Sequence, residues 1–544
     1  MKKNIIKLLI IAGLTGTLAS CTKDLNQSPK NDITADQVYS TPLGYTQAMA
    51  KVYGSLALSG NEGPAGNNDL QGVPDEGNYA GYLRTAWYLQ ELPTDEAMIA
   101  WGDPGLQDFK NMNWSSDNPA IVGQYYRLMY EVTLVNDFLR QSTDDKLSSR
   151  GITGTDADRI RQYRSEARFL RAFAYWGLMD LYGNPPFVTE ADALGSVLPK
   201  QIKRADLFKY IETELTEIQG TLVDARQNEY GRADKAAAWA LLARMYLNAK
   251  VYTGTDRSAD AMTNASKVIA AGYALNSNYR ELLLADNDQN NNEAIFTINY
   301  DGLLTKGFGG MTFMTHASLG DPMPGAQTLG VDGKWGGIRT SKDLTDLFAD
   351  DGKTDYASYP KNFTNNTSAV DKRAQFWFNG FNPTVPSLTT FTDGIGVLKF
   401  RNLKKNDAVG KDFGHSDADF PVFRLAEMYL IYAEAAIRTG SNTGTAVEYI
   451  NKLQERARGN TSGNKTAADL TLNFILQERA RELYWECQRR TDLIRFESFT
   501  SANYLWTWKG GSKAGRAVNA TRALYPIPSA DITVNPNLVQ NPGY

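Results

Sequence analysis

Two stretches of this chain nearly repeat one another. Leu242-Ala243-Arg244-Met245-Tyr246-Leu247 and Leu425-Ala426-Glu427-Met428-Tyr429-Leu430 each sit inside a run whose apolar residues recur every three or four positions. Two further runs share that period. One extends from about Arg161 to Leu181, with Tyr163, Ala167, Leu170, Ala174, Leu178 and Leu181 on one face, and is stopped by Gly183-Asn184-Pro185-Pro186. The other covers Leu472 to Phe496. The second run begins at a helix cap near Asp234 and carries Ala238, Leu242, Met245 and Ala249 before Gly254; the third spans Arg424 to Ile437. Alanines set opposite large aromatics let neighbouring helices approach closely. Helical pairs scattered along a chain in this way predict a mainly α fold of tetratricopeptide-like helix pairs with irregular spacing.

Between Asp286 and Asp419 the character changes. Gly, Asn, Thr and aromatics rise, the helical period fades, and short strand-like runs such as Ala294-Ile295-Phe296-Thr297-Ile298 stand between turn signals. This predicts a loop-rich, partly β insertion over about 286–419. A similar polar, glycine-rich tract runs from Ser59 to Gly81, and two such tracts on a helical scaffold can make one binding face.

The N-terminus reads as a secretory signal over 1–20. Lys2 and Lys3 precede an apolar run, Ile5 to Leu14, too short to span a bilayer, and Leu18-Ala19-Ser20-Cys21 has the small-residue pattern at which bacterial lipoproteins are cleaved and acylated. Cys21 is therefore the expected lipidation site, with palmitate among its acyl groups, and 21–544 one anchored domain. Cys487 is the only other cysteine, so a lipidated Cys21 leaves no intramolecular disulfide. A net charge of −4 argues against nucleic acid, which needs a clustered basic face. A neutral ligand is expected instead.

Reaction chemistry is sparse. The two histidines, His316 and His415, fit neither a zinc spacing nor a Ser-His-Asp relay and read as surface or turn residues. Gly309-Gly310 and Gly336-Gly337 read as hairpin turns, not phosphate loops. Carboxylates are abundant, but none is marked out as an acid and nucleophile pair. Aromatics are plentiful instead, with 10 Trp, 28 Tyr and 22 Phe, and Tyr79, Tyr82, Trp101, Phe308 and Trp335 fall in the loop tracts. A pyranose presents C–H groups that pack on such rings, while its hydroxyls need polar partners, for which Asp75 and Arg84 lie near in sequence.

The motifs Glu166-Ala167-Arg168-Phe169-Leu170-Arg171-Ala172 with Leu181-Tyr182-Gly183, Gly231-Arg232-Ala233-Asp234-Lys235-Ala236-Ala237, Phe423-Arg424-Leu425-Ala426-Glu427-Met428-Tyr429-Leu430, Tyr525-Pro526-Ile527-Pro528 and Asn541-Pro542-Gly543-Tyr544 occur in order. Through them the chain resembles the SusD/RagB family of outer-membrane glycan-binding lipoproteins from end to end, apart from divergence in the middle loops. The resemblance implies four tetratricopeptide-like helix pairs in a curved scaffold, a ligand face made by loops, binding without catalysis, and a SusC-like TonB-dependent transporter as partner. The charged run Glu478-Arg479-Ala480-Arg481-Glu482-Leu483 with Arg489-Arg490-Thr491-Asp492-Leu493 also fits the family, and its charges are expected to pair between buried helices.

Within the family, Glu91-Leu92-Pro93-Thr94-Asp95-Glu96, Asp75-Glu76-Gly77 and Tyr504-Leu505-Trp506-Thr507-Trp508-Lys509-Gly510-Gly511 look closest to the starch-binding founding member. The resemblance carries a sugar arc onto Asp75, Arg84, Trp101, Phe308 and Trp335. One arc aromatic becomes Ile99, a tyrosine becomes Phe308, and an asparagine is replaced by Asp103 or Pro104. Starch-type α-glucan is the expected ligand, with a laminarin-type β-glucan, a peptide and a hydrolase substrate as rivals in that order. Asp288, Asp417 and Asp419 resemble positions that hold a structural calcium ion.

Overall fold

The computed structural model describes residues 34–348, apart from 66, 193–194, 196–197 and 290, together with 371–544. The signal segment 1–20 and Cys21 lie outside the described residues. Helix accounts for 49% of the described residues and strand for 6%, as the periodic runs imply. The longer helices, with two short ones that matter below, are α1 (Pro42–Ala57), α2 (Tyr82–Glu91), α3 (Pro119–Gln141), α4 (Gly154–Tyr182), α5 (Arg204–Glu217), α6 (Lys235–Leu247), α7 (Ser258–Ala270), α8 (Met311–Ala317), α9 (Leu425–Thr439), α10 (Thr443–Arg458), α11 (Leu472–Leu483) and α12 (Arg489–Arg495).

Local chemistry sets their ends. Asp234 caps α6, its carboxylate accepting from Ala236 N at 2.8 Å and Ala237 N at 3.1 Å, as expected. Asn118 does the same for α3, where Pro119 at the first helical position lacks an amide that would go unpaired anyway. Gly183, at φ +73°, ends α4.

Two of the long runs are broken where the pattern predicts continuity. The second pauses at Asn248, whose side chain donates to the Arg244 carbonyl at 2.9 Å and accepts from Arg495 Nη1 at 2.8 Å; a short turn, Ala249–Thr253, then runs to Gly254. The fourth splits into α11 and α12, because Trp485 and Cys487 adopt left-handed backbone. Trp485 is fully buried there, giving its backbone N–H to Glu96 Oε2 at 3.1 Å and its indole N–H to the Glu96 carbonyl at 2.9 Å.

The helices pack in sequence-adjacent pairs, α3 on α4, α4 on α5, α6 on α7 and α9 on α10, and α9 also lies against α7 and α11. One continuous apolar core joins them. The alanine-rich face of α6 is buried throughout, which permits close helix approach. Eight short strands occur among the described residues: β1 (Gly60–Glu62), β2 (Asn67–Asn68), β3 (Met98–Ile99), β4 (Ala294–Ile298), β5 (Ile338–Arg339), β6 (Phe376–Trp377), β7 (Gly396–Val397) and β8 (Phe420–Arg424). They pair antiparallel as β1–β2, β3–β5, β4–β8 and β6–β7.

The β4–β8 ladder, running from Ala294↔Arg424 to Ile298↔Phe420, closes the base of the 286–419 insertion. Arg424 fastens that base to α11, donating to Glu293 Oε1 at 2.8 Å, Glu482 Oε1 at 2.6 Å and Glu486 Oε2 at 2.8 Å. Arg373 reaches Glu478 at 2.7 Å and Glu482 at 3.1 Å. All are buried, so the charges of the α11 run pair inside the scaffold as expected.

Candidate functional site

The two loop tracts meet through glycine. A Cβ on Gly81 would stand 2.6 Å from the Gly309 Cα, and one on Gly309 would stand 2.8 Å from the Gly81 Cα, so the two backbones touch. Arg84 N donates to the Gly309 carbonyl at 3.0 Å across this seam. Gly77 gives Phe308 its seat, a Cβ there falling 3.2 Å from the Phe308 Cβ. Gly309-Gly310 is thus no hairpin turn: Gly309 allows the close approach and Gly310 opens α8.

Arg84, on the first turn of α2, works mostly as a clamp. Its Nε donates to Tyr88 Oη at 2.7 Å, and its Nη1 to the carbonyls of Gly77 at 2.8 Å and Phe308 at 3.2 Å. The guanidinium lies 5.2 Å from the Trp101 ring centre and 4.7 Å from that of Phe313. Nη2 has no hydrogen-bond partner among the described residues. Asp75 is exposed, at left-handed φ +48°, and its carbonyl accepts the amides of Asn78 and Tyr79.

Around this clamp stand three half-buried rings. Phe308 and Trp335 meet edge to face at 5.9 Å. Trp101 packs edge-on to Phe313 of α8 at 6.1 Å and lies on Gly337, where a Cβ would come within 2.3 Å of its Nε1. Gly336 and Gly337, at φ +61° and +100°, therefore form a ring seat where a hairpin turn was expected. Arg84, Trp101, Phe308 and Trp335 are gathered at one seam, and Asp75 lies two residues before Gly77, on which Phe308 sits. Ile99 is not available to a ligand, being buried in β3 opposite Ile338. Asp103 accepts from Asn78 Nδ2 at 3.2 Å.

His316 is corrected from a surface or turn residue to a buried support beneath these rings, while His415 lies in a bend as expected and also backs one of them. His316, in α8, is fully buried; its Nδ1 lies 2.9 Å from the Thr312 carbonyl and its Nε2 3.2 Å from the Phe413 carbonyl. Its ring packs on Trp335 at 4.8 Å, and burial holds its pKa below the usual imidazole range. His415 stacks on Phe308 at 5.6 Å and is shifted downward for the same reason. Neither role is readable from local sequence, because the His316–Trp335 and His415–Phe308 contacts form only in the folded chain.

The three aspartates expected at a calcium site come close to one another. Asp417 accepts backbone N–H from Gly302, at 2.8 Å, and from Lys411, while Asp419 accepts from Tyr300 N at 2.7 Å. Asp288 and Asp417 are close enough that, after burial, they help push Asp419 up to about 7. Calcium takes six to eight oxygens, and Asp417 and Asp419 also accept the amides that pin these loops. No group of three or more His, Cys, Asp or Glu among the described residues is arranged to hold a metal ion.

Cavities of about 170 Å³, beside Tyr230 and Tyr273, and about 660 Å³, beside Tyr429 and Lys452, are lined by other residues than this seam. No helix of the described residues is long and apolar enough to cross a membrane.

Comparison with known families matches residues 379–544 to the SusD family and residues 83–247 to a family described as starch-binding and associating with the outer membrane. The chain is 35% identical over 578 aligned residues to the starch-binding protein SusD of Bacteroides thetaiotaomicron, covering 100% of this chain and 99% of that one. It is 24% identical to SusD-like protein P2 of Formosa agariphila, covering 100% of both. Among solved structures, a SusD-like carbohydrate binding protein from Bacteroides fragilis superposes with a TM-score of 0.69 at 22% identity, over 92% of this chain and 100% of that one. Surface glycan-binding protein A from Bacteroides fluxus gives 0.65 at 20% identity, over 93% and 100%.

Proposed function

This chain belongs to the SusD family, and on that premise we propose that it is a lipid-anchored protein of the outer-membrane surface that binds a neutral oligo- or polysaccharide and delivers it to a SusC-like TonB-dependent transporter. The observation that carries the reading is the convergence of Trp101, Phe308 and Trp335 on the seam between the two loop tracts, with Arg84 Nη2 beside them and Asp75 two residues before the Gly77 seat of Phe308. Rings offer their faces to the C–H patches of a sugar, and the carboxylate and guanidinium replace water at its hydroxyls. The name of the 35% identical relative supports a starch-type α-glucan. Anchoring through Cys21 would hold the face close to the transporter, where a high local concentration favours hand-over.

A second reading, a laminarin-type β-glucan, is favoured by two features. Phe308 lacks a hydroxyl, and the buried Ile99 removes one ring from the arc, so the platform's curvature need not suit an α-glucan helix. The role is binding without bond cleavage. The test is calorimetry and affinity electrophoresis of the full chain against amylopectin, maltoheptaose, laminarin, levan and xylan, with Trp335→Ala alongside. Selective α-glucan binding lost in the variant supports the starch reading, and laminarin-only binding moves the specificity to β-glucan. Binding of none of them, or release of reducing ends that one carboxylate substitution abolishes, overturns the proposal.

A further inference from the structure

Phe391 is among the most exposed large apolar side chains described, at 48%, and it is unusually well placed for a residue on a loop. Its Cδ1 lies 3.1 Å from the point where a Cβ on Gly336 would stand. Trp101 lies against the next residue, Gly337, and Trp335 precedes both. Successive Cα atoms are 3.8 Å apart, so three rings crowd around one Trp-Gly-Gly tripeptide.

The loop that carries Phe391 is fixed on both sides. Arg339, two residues beyond Gly337 on β5 and 1% exposed, gives Nη1 to the Gly337 carbonyl at 2.8 Å, Nη2 to the Leu388 carbonyl at 2.8 Å and Nε to the Asp393 carbonyl at 2.6 Å. One buried guanidinium thus holds both the seat of Trp101 and the two ends of the segment bearing Phe391. Asn382 N to the Thr392 carbonyl at 2.8 Å, Trp508 Nε1 to the Val385 carbonyl at 3.0 Å and Ser387 N to Asp393 Oδ2 at 3.0 Å complete the frame. A phenyl ring left half in water on so constrained a loop is preorganised, so that ordering it on binding costs little.

We infer that Phe391 adds a further stacking position to the platform beyond Trp101 and Trp335, so that the face reads a run of several sugar units, with Arg339 as the residue that positions it. This rests on the glycan reading above. It predicts that Phe391 matters for long ligands and not for short ones, because a short ligand is satisfied on the Trp335–Phe308 pair. Phe391 is exposed, so truncating it leaves the fold intact.

The experiment is calorimetry of the full chain and its Phe391→Ala, Phe391→Trp and Trp335→Ala variants with maltotriose, maltoheptaose, laminaritriose and laminariheptaose. The expected result in the series that binds is unchanged trisaccharide affinity and about a five- to tenfold loss for the heptasaccharide in Phe391→Ala, restored in Phe391→Trp. Equal effects on both lengths, or none on either while Trp335→Ala abolishes binding, overturns the role of Phe391 and leaves the glycan reading standing. No binding of either series by the unaltered chain, or binding indifferent to Trp335→Ala, overturns both.

Discussion

Arg84 Nη1 and the Phe308 carbonyl oxygen lie 3.2 Å apart although 224 residues separate them in sequence. The same nitrogen holds the Gly77 carbonyl at 2.8 Å, so one side chain ties the early loop tract to the insertion. Arg84→Met keeps the apolar stem and removes three hydrogen bonds, leaving the buried Gly77 carbonyl and the half-buried Phe308 carbonyl without this donor. Stability should fall by ~1–3 kcal/mol in urea titrations. Maltoheptaose affinity should fall at least about tenfold, since the Phe308 seat loosens and Nη2 is lost. A well-folded variant that binds as tightly as the parent would show that the clamp is dispensable.

Gly337 is predicted to matter without touching a sugar. Its φ of +100° disfavours any side chain, and a methyl group there would collide with the Trp101 indole at 2.3 Å. Gly337→Ala should cost ~1–3 kcal/mol and weaken glycan binding as much as Trp101→Ala does. Measuring both variants side by side checks this, and a Gly337→Ala protein with parental affinity contradicts the ring-seat assignment.

The parts of this architecture legible from sequence are those set by local chemistry. The Asp234 cap, the Gly183 stop and the four periodic runs need only neighbours within a turn or two, and they were readable. Helices such as α3 and α7 do not stand out in the sequence as the four runs do, although their buried residues line one face. The breaks at Asn248 and Trp485 were hidden because Arg495 and Glu96 cause them from 247 and 389 residues away. The same holds for the site. Aromatics in loops could be seen as candidates, but that His316 and His415 underlie Trp335 and Phe308, or that Phe391 sits over Gly336, depends on contacts only the folded chain makes.

Glu482 is the hub of the scaffold's buried charges. Arg424, Arg373 and Arg456 all donate to it, and these guanidiniums hold its pKa far below the usual carboxylate range despite full burial. Glu482→Ala leaves three buried cations short of a counter-charge and is expected to destabilise by ~3–5 kcal/mol, with Glu482→Gln milder because it keeps shape and some acceptor capacity. Urea midpoints at constant m-value test this. A loss under ~1 kcal/mol for the alanine variant would mean that the remaining glutamates, Glu293, Glu478 and Glu486, take over the role.

Glu131 should give the protein an alkaline weakness. Its carboxyl is fully buried on α3, with Oε2 hydrogen-bonded to Ser55 and Oε1 without a partner, and burial pushes it up to about 8 against the weaker opposing pull of Arg127 and Lys51. A carboxyl whose folded pKa stands above its unfolded value contributes stability that is complete below about pH 4.3 and lost as the pH rises through the folded value. For Glu131 the window therefore runs from roughly pH 4 to 8. Glu482, Glu486, Glu434 and Asp492 are shifted the other way, so their contribution is present above the ordinary carboxylate range and lost below it. Glu131→Gln removes the ionisation and keeps a group able to bond Ser55. It should match the parent within about 1 kcal/mol at pH 5 and exceed it by a few kcal/mol, on the order of 2–4, at pH 9. Glu91 and Asp419, both pushed up to about 7, keep their own share of the alkaline loss, so the slope of stability against pH should shrink without vanishing. Urea titrations at pH 5, 7 and 9 decide the matter: parallel profiles for parent and variant would mean that Glu131 ionises at an ordinary pKa, with water or Arg127 compensating its charge.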